Sequence, residues 1–197
     1  MRVSELVNED ASLVSRRCWS DAGVYELEKR GIFRRAWLFL GHESQIRNPG
    51  DFVQAYMCET PVILARGLDG GLHASVNSCT HRGLPVCRAD HGNTKRFICP
   101  YHNWSYSVEG NLVTIPQESA VANKPDKAVL GLKQVPRVAS WRGMVFGCFD
   151  ENVESLEDYL GDMRFYLDAF FERFPGGIEF LGAPHRWVIN ANWKLPV

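Results

Sequence analysis

CTHRGLPVC, residues 79–87, and CPYHNW, residues 99–104, are the two stretches on which the reading of this chain turns. The first packs two cysteines, a histidine, an arginine and a glycine into nine positions, and the second brings another cysteine and histidine. Each offers one soft thiolate, Cys79 or Cys99, and one imidazole, His81 or His102, with the 17 residues 82–98 between the two pairs. Residues two or three apart in a tight turn can point into one cavity, so two such turns facing each other make a four-ligand site. A zinc clip, a disulfide pair and an electron-transfer centre all remain open from these loops alone.

The rest of the chain narrows the choice. Its 197 residues, 45% hydrophobic and 12% aromatic, are ample for a packed core and exclude a disordered chain. A formal charge of −1 gives no electrostatic reason to expect nucleic acid or an anionic membrane as partner. The longest apolar run, Ala36-Trp37-Leu38-Phe39-Leu40-Gly41, falls far short of the roughly 18 residues of a membrane helix. MRVSELVNED at the start is too acidic and polar for a secretory signal. The expectation is therefore a cytoplasmic protein, in whose reducing compartment six cysteines serve metal or redox roles before disulfides.

Around the loops the texture is that of short strands separated by turns. Ser20 and Asp21 are candidate caps for a helix running through Val24, Leu27 and Glu28 to about Gly31, and Ala36–Leu40 reads as a first buried strand. Asn48-Pro49-Gly50-Asp51 is a turn. Pro61–Arg66 and Leu72–Val76 are strands joined by Asp69-Gly70-Gly71, and Glu109-Gly110-Asn111 joins Trp104–Val108 to Leu112–Ile115. Residues 137–149 hold two more strands around Arg142-Gly143. Ser155 with Asp158 then opens a capping-box pattern, and Leu156, Tyr159, Leu160, Met163, Tyr166, Leu167, Phe170 and Phe171 predict one helix, closed by Pro175-Gly176-Gly177. Strands are expected at Ile178–Leu181 and about Arg186–Ala191. The fold class is mainly β with flanking helices: a helical segment over 1–38, an antiparallel β domain over 39–154, and a connector helix with the first strands of a further domain over 155–197. The apolar stop at Trp193–Val197, directly after an expected strand, reads as a chain cut inside its second domain.

Two chemistries suit two cysteines with two histidines: tetrahedral zinc, and a [2Fe–2S] cluster with thiolates on one iron and imidazoles on the other. Zinc clips group like ligands on each arm, whereas here each arm carries one of each, which suits a group in which each loop serves both irons.

The stretch CTHRGLPVCRADHGNTKRFICPYHNWSY, residues 79–106, resembles the Rieske signature of aromatic-ring-hydroxylating dioxygenase α subunits. Arg82-Gly83, Gly92-Asn93, Tyr101 and Trp104 match beside the four ligand positions. GCFDENVESLEDYLGDMRFYLDAFFE and GAPHRWVINANWKLPV are similar to the connector and first catalytic strands of the naphthalene and biphenyl type. The resemblance implies a Rieske-type antiparallel β domain followed by the start of an α+β helix-grip catalytic domain. It implies one [2Fe–2S] cluster on Cys79, His81, Cys99 and His102, with Arg82, Gly83, Tyr101 and Trp104 packed around it. It further implies a mononuclear Fe(II) whose two histidines and one aspartate lie beyond Val197, so that no catalytic residue falls within these 197. Electrons are expected from NADH through a reductase, often with a ferredoxin. They would enter at the His81 and His102 edge and leave on the His102 side toward a neighbouring α subunit, where O2 is added to an aromatic ring. A small β subunit and an α3β3 assembly complete the expected partners, and no nucleic acid or membrane is among them.

Two departures qualify the match. Asn103 stands where the family has glycine, and asparagine is the best substitute if the position has positive φ. Cys87 lies where respiratory Rieske proteins have a bridging cysteine, but its partner position is Pro100, so it is expected as a small buried hydrophobe, like Cys18, Cys58 and Cys148. His42, His73, His91 and His185 are expected as surface or structurally satisfied histidines. Trp104 and Tyr106 are expected as core residues that shield the centre, and the aromatic face of 156–171 as interdomain core. A zinc-stabilised binding module and a stand-alone Rieske electron carrier are the rival functions. The carrier would need only the β domain, and the flanking segments argue against it.

Overall fold

A computed structural model of the chain describes residues 5–120, 125–182 and 184–195. Its centre is an antiparallel sheet in the order β4-β3-β2-β5, built from β2 (Asp51–Met57), β3 (Thr60–Arg66), β4 (Leu72–Val76) and β5 (His91–Asn93). Val62, Ile63, Leu64 and Ala65 of β3 form a continuous apolar run, and all four are buried. Strand side chains alternate between faces, so Ile63 and Ala65 enter one core while Val62 and Leu64 enter the other. Phe52 and Val53 of β2 divide in the same way. The sheet is thus covered on both sides, and burying Val62, Ile63 or Leu64 stabilises by about 1.5–3 kcal/mol each.

One covering layer is the sheet β1-β10-β9, from β1 (Leu38–His42), β9 (Arg137–Trp141) and β10 (Met144–Cys148). The other is β6-β7-β8, from β6 (Arg96–Ile98), β7 (Ser105–Ser107) and β8 (Leu112–Thr114). The expected turns hold: Gly50 takes φ 89 at Asn48–Asp51, Gly70 takes φ 81, and Gly110 takes φ 92 between β7 and β8. The first strand begins at Leu38 rather than Ala36, because a π-helical turn, Lys29–Phe33, extends the N-terminal helices before it. Those helices are α1 (Arg17–Ser20) and α2 (Ala22–Glu28), the latter capped by Asp21, whose carboxylate accepts the Gly23 N–H at 2.8 Å.

Two expectations for the C-terminal part are corrected. The single helix over 156–171 is two, α3 (Leu156–Leu160) and α4 (Met163–Phe171), because Gly161 turns to φ 49, ψ −130 between them. Ser155 caps α3 as expected, accepting the Asp158 N–H at 3.1 Å. On α4, Phe165, Tyr166 and Phe170 stand 71%, 67% and 64% exposed, while Phe171 is buried. Ile178–Leu181 and Arg186–Ala191 are not strands. Among the described residues no neighbouring edge pairs with them, and a side chain meets the first stretch instead, Ser44 Oγ accepting the Phe180 N–H, while just beyond it Gln45 Nε2 donates to the Gly182 carbonyl.

Candidate metal centre

The two cysteine–histidine loops occupy equivalent places. The first leaves β4 and the second joins β6 to β7. In the first, the Cys79 N–H donates to the Leu84 carbonyl at 2.9 Å and the Gly83 N–H donates to the Cys79 carbonyl at 2.7 Å. In the second, the Cys99 N–H donates to the Trp104 carbonyl at 2.8 Å and the Asn103 N–H to the Cys99 carbonyl at 2.9 Å. The frame is the same: cysteine, then its fourth and fifth successors. In both loops the fourth successor needs a positive φ, 75 at Gly83 and 56 at Asn103. Glycine and asparagine are the residues that adopt this region most readily, so Asn103 fits where glycine was expected.

This frame sorts the four candidate ligands by depth. The Cys79 and Cys99 thiols are buried at 3% and 2% exposure within the core that also holds Phe97 and Tyr106. His81 is exposed and His102 half-buried, with ring centroids 4.7 Å apart. Trp104 stacks on His81 at 4.8 Å and 8°, while Tyr101 lies 3.9 Å from the His102 ring. Arg82 reaches over Tyr101 at 5.8 Å. The structure therefore sets the His81, His102, Tyr101 and Trp104 rings against one another, with the Cys79 and Cys99 thiols buried in the core against which Trp104 packs.

The model of the Rieske [2Fe-2S] domain matches residues 36–135, both loops included. The chain belongs to the Rieske domain family.

The donor set of this Rieske domain fits the group for which the family is named. His102 Nδ1 is buried with no hydrogen-bond partner among the described residues. A buried nitrogen left so costs about 1–3 kcal/mol, and a metal bond would satisfy it. Desolvation, followed by the neighbouring His81 and Arg82, holds His102 below the ordinary histidine range. All six cysteines are free thiols, Cys87 included.

Among curated relatives, a benzene 1,2-dioxygenase subunit alpha of Pseudomonas putida is 41% identical over 196 residues, covering 98% of this chain and 43% of that protein. A biphenyl dioxygenase subunit alpha of Paraburkholderia xenovorans (strain LB400) is 42% identical over 197 residues, 96% of this chain and 43% of that one. Among solved structures, naphthalene 1,2-dioxygenase from Rhodococcus sp. bound to indole superposes with a TM-score of 0.84 at 46% identity, over 89% of this chain and 40% of that one. A naphthalene 1,2-dioxygenase mutant bound to phenanthrene gives 0.91 at 41% identity, over 97% and 43%. The chain thus spans less than half the length of these dioxygenase α subunits, and it resembles them in fold as well as in sequence.

Two residues of the Rieske domain do more than the sequence disclosed. Tyr106, expected as core, is fully buried, and its hydroxyl lies 3.1 Å from Cys79 Sγ, 3.0 Å from Thr80 Oγ1 and 3.2 Å from the Thr80 N–H that donates to it. Burial, then the contact with Cys79, pushes this phenol up to about 12, so it keeps its proton, and either the phenol or the thiol can donate across the 3.1 Å contact. Asn77 drew no attention, yet it is 2% exposed and accepts the Val86 and Cys87 N–H groups at 2.9 and 3.0 Å. The only signal was a polar residue at the end of an apolar strand, just before the cysteine.

The remaining thiols and histidines divide. Cys87 and Cys148 are buried as expected, whereas Cys18 and Cys58 are only half-buried, the latter 3.4 Å from the Tyr25 hydroxyl. His73 meets Asp69 at 3.1 Å, and His91 and His185 are exposed. His42 is buried with Nδ1 accepting the Ser44 N–H at 3.1 Å, but its Nε2 has no hydrogen-bond partner among the described residues.

Proposed function

We propose that Cys79, His81, Cys99 and His102 hold a [2Fe–2S] cluster, and that the whole protein is the α subunit of an aromatic-ring-hydroxylating dioxygenase. The observation that supports this reading is the shared loop frame, with both thiols buried in one core and the two imidazole rings 4.7 Å apart. A division into a thiol pair and an imidazole pair suits two irons better than one tetrahedral zinc. When bound, such a cluster supplies one-electron chemistry, at a potential raised by its neutral imidazole ligands.

The chain's own residues supply the rest. The Tyr106 hydroxyl lies 3.1 Å from the Cys79 sulfur and can donate to it once the thiol has lost its proton, and Phe97 and Tyr106 keep water from the thiols. Each imidazole that binds through one nitrogen keeps the other free to hydrogen-bond outward, and the exposed rings of His81 and Tyr101 make that edge the port for electrons. Arg82, Arg88, Lys95 and Arg96 against Asp90 leave residues 79–104 positively charged, which favours an acidic donor protein. We assign that role to an NADH-dependent reductase, with or without a ferredoxin. The substrates are taken to be an aromatic ring and O2, with a mononuclear Fe(II) held by residues downstream of this chain. Residues 39–154 form the Rieske domain in this scheme, 1–38 pack beside the catalytic domain, and 155–197 lead into it. A small β subunit, an α3β3 assembly and a cytoplasmic location complete the proposal. No described helix is long and apolar enough to cross a membrane.

Metal analysis tests the reading. About two iron and two acid-labile sulfide per chain are expected, with a rhombic electron paramagnetic resonance signal on reduction. Stoichiometric zinc without sulfide would overturn it.

A further inference from the structure

We infer that Asn77, Gln54 and Arg186 form a positioning chain that ties the segment around residue 186 to the back of the first ligand loop, so that the iron–sulfur site depends on a contact made outside the matched residues 36–135. The inference rests on the cluster reading above and extends it to residues no motif contains.

The chain starts at the buried end. Besides accepting the Val86 and Cys87 N–H groups, Asn77 donates from Nδ2 to the Cys87 carbonyl at 2.8 Å and to Gln54 Oε1 at 3.2 Å. Both ends of its amide are therefore used, and its orientation is set. Gln54, on the neighbouring strand but one, donates from Nε2 to the Ala89 carbonyl at 2.8 Å, and its own N–H donates to the Asp90 carbonyl at 2.7 Å. Residues 86–90, the return limb of the loop that carries Cys79 and His81, thus hang on two amide side chains and one backbone bond.

Arg186 closes the chain from outside. Its Nη2 donates to the Gln54 carbonyl at 2.6 Å, its Nη1 meets Asp90 Oδ1 at 2.8 Å, and its guanidinium lies over the Tyr56 ring at 5.7 Å. The Arg186 and Asp90 side chains are 37% and 61% exposed, so the ion pair alone adds little to stability. Its value is geometric: one planar fork spans a carbonyl of β2 and the carboxylate of the loop limb, which a lysine's single ammonium reproduces only in part. Without it the limb loosens toward Cys87, which shares its core with Cys79 and Cys99. Water admitted there stabilises added negative charge, and the potential of an iron–sulfur group follows solvent exposure and sulfur hydrogen bonding.

The test compares the holo-protein with its Arg186→Ala, Arg186→Lys and Asp90→Asn variants. The readouts are the resonance g-values, the midpoint potential, the rate of iron loss to a ferrous chelator, and the melting temperature. Arg186→Ala should raise the potential, shift the g-values and speed iron loss about tenfold, the usual effect of losing an outer partner of a metal ligand, while melting changes little. Arg186→Lys should recover part of each change, and Asp90→Asn should show the same changes in smaller measure, including where Arg186→Ala does not accumulate. Variants with wild-type g-values, potential and iron loss, whether or not melting falls, overturn the inference. A wild-type protein without the iron–sulfide signal would instead sink the cluster reading itself.

Discussion

At position 103 the backbone takes φ 56, the value that lets the Asn103 N–H close onto the Cys99 carbonyl at 2.9 Å. Asparagine tolerates this region, whereas a residue such as alanine costs about 1–2 kcal/mol there. Asn103→Gly is therefore expected to leave stability and the iron content unchanged or slightly improved, and Asn103→Ala to lower stability by about 1 kcal/mol, as read from urea unfolding. Tyr106 acts at the same scale through a single hydroxyl. A donor toward a cysteine sulfur stabilises the negative charge that reduction adds, so Tyr106→Phe should lower the midpoint potential in a titration followed by resonance. It also leaves the Thr80 N–H without its partner, at a cost of about 1 kcal/mol. Both residues were visible in the sequence, Asn103 as a departure from glycine and Tyr106 as core. The sulfur contact of Tyr106 was not, because it joins residues 27 positions apart.

Among the elements, the β7–β8 hairpin matters most to the site, since β7 begins directly after the second loop. Its turn glycine, Gly110, has φ +92, and a Cβ there would lie 2.4 Å from Gln134 Nε2 and 2.6 Å from Ser75 Oγ. Gly110→Ala combines backbone strain with a clash against two other elements, and is expected to destabilise by at least about 2 kcal/mol, measured by thermal or urea unfolding. Turn and cap signals of this kind were legible because they are local: Asp21, Ser155 and Gly110 act on neighbours a few residues away. The helix break at Gly161 was hidden inside an apolar spacing that continues undisturbed across it, and periodicity records which face a residue takes rather than whether the backbone stays helical.

At the scale of the molecule, the central sheet presses the Cys79 and Cys99 thiols into the core of Ile63, Phe97 and Tyr106, and His102 Nδ1 is buried with no hydrogen-bond partner among the described residues. Ligand binding to such a preformed site stabilises the native state by mass action. Removing iron with a chelator under reducing conditions should therefore lower the melting temperature by several degrees, and reconstitution with iron and sulfide should restore it. Equal melting of the two forms would show that the loops are held by their backbone frame alone.

Spacing along the chain was enough to set the two ligand pairs, the turns between strands, the helix caps and the strand at Pro61–Arg66. Each follows from bonds or side-chain alternation within a few residues. The assembled fold settled which faces of β2 and β3 meet which core, that residues 178–182 and 184–191 run without strand partners among the described residues, and that Asn77, Gln54 and Arg186 meet behind the first loop. Those contacts span up to 132 positions of chain, as between Gln54 and Arg186. A polar side chain reveals its partner only once the fold has removed water from around it.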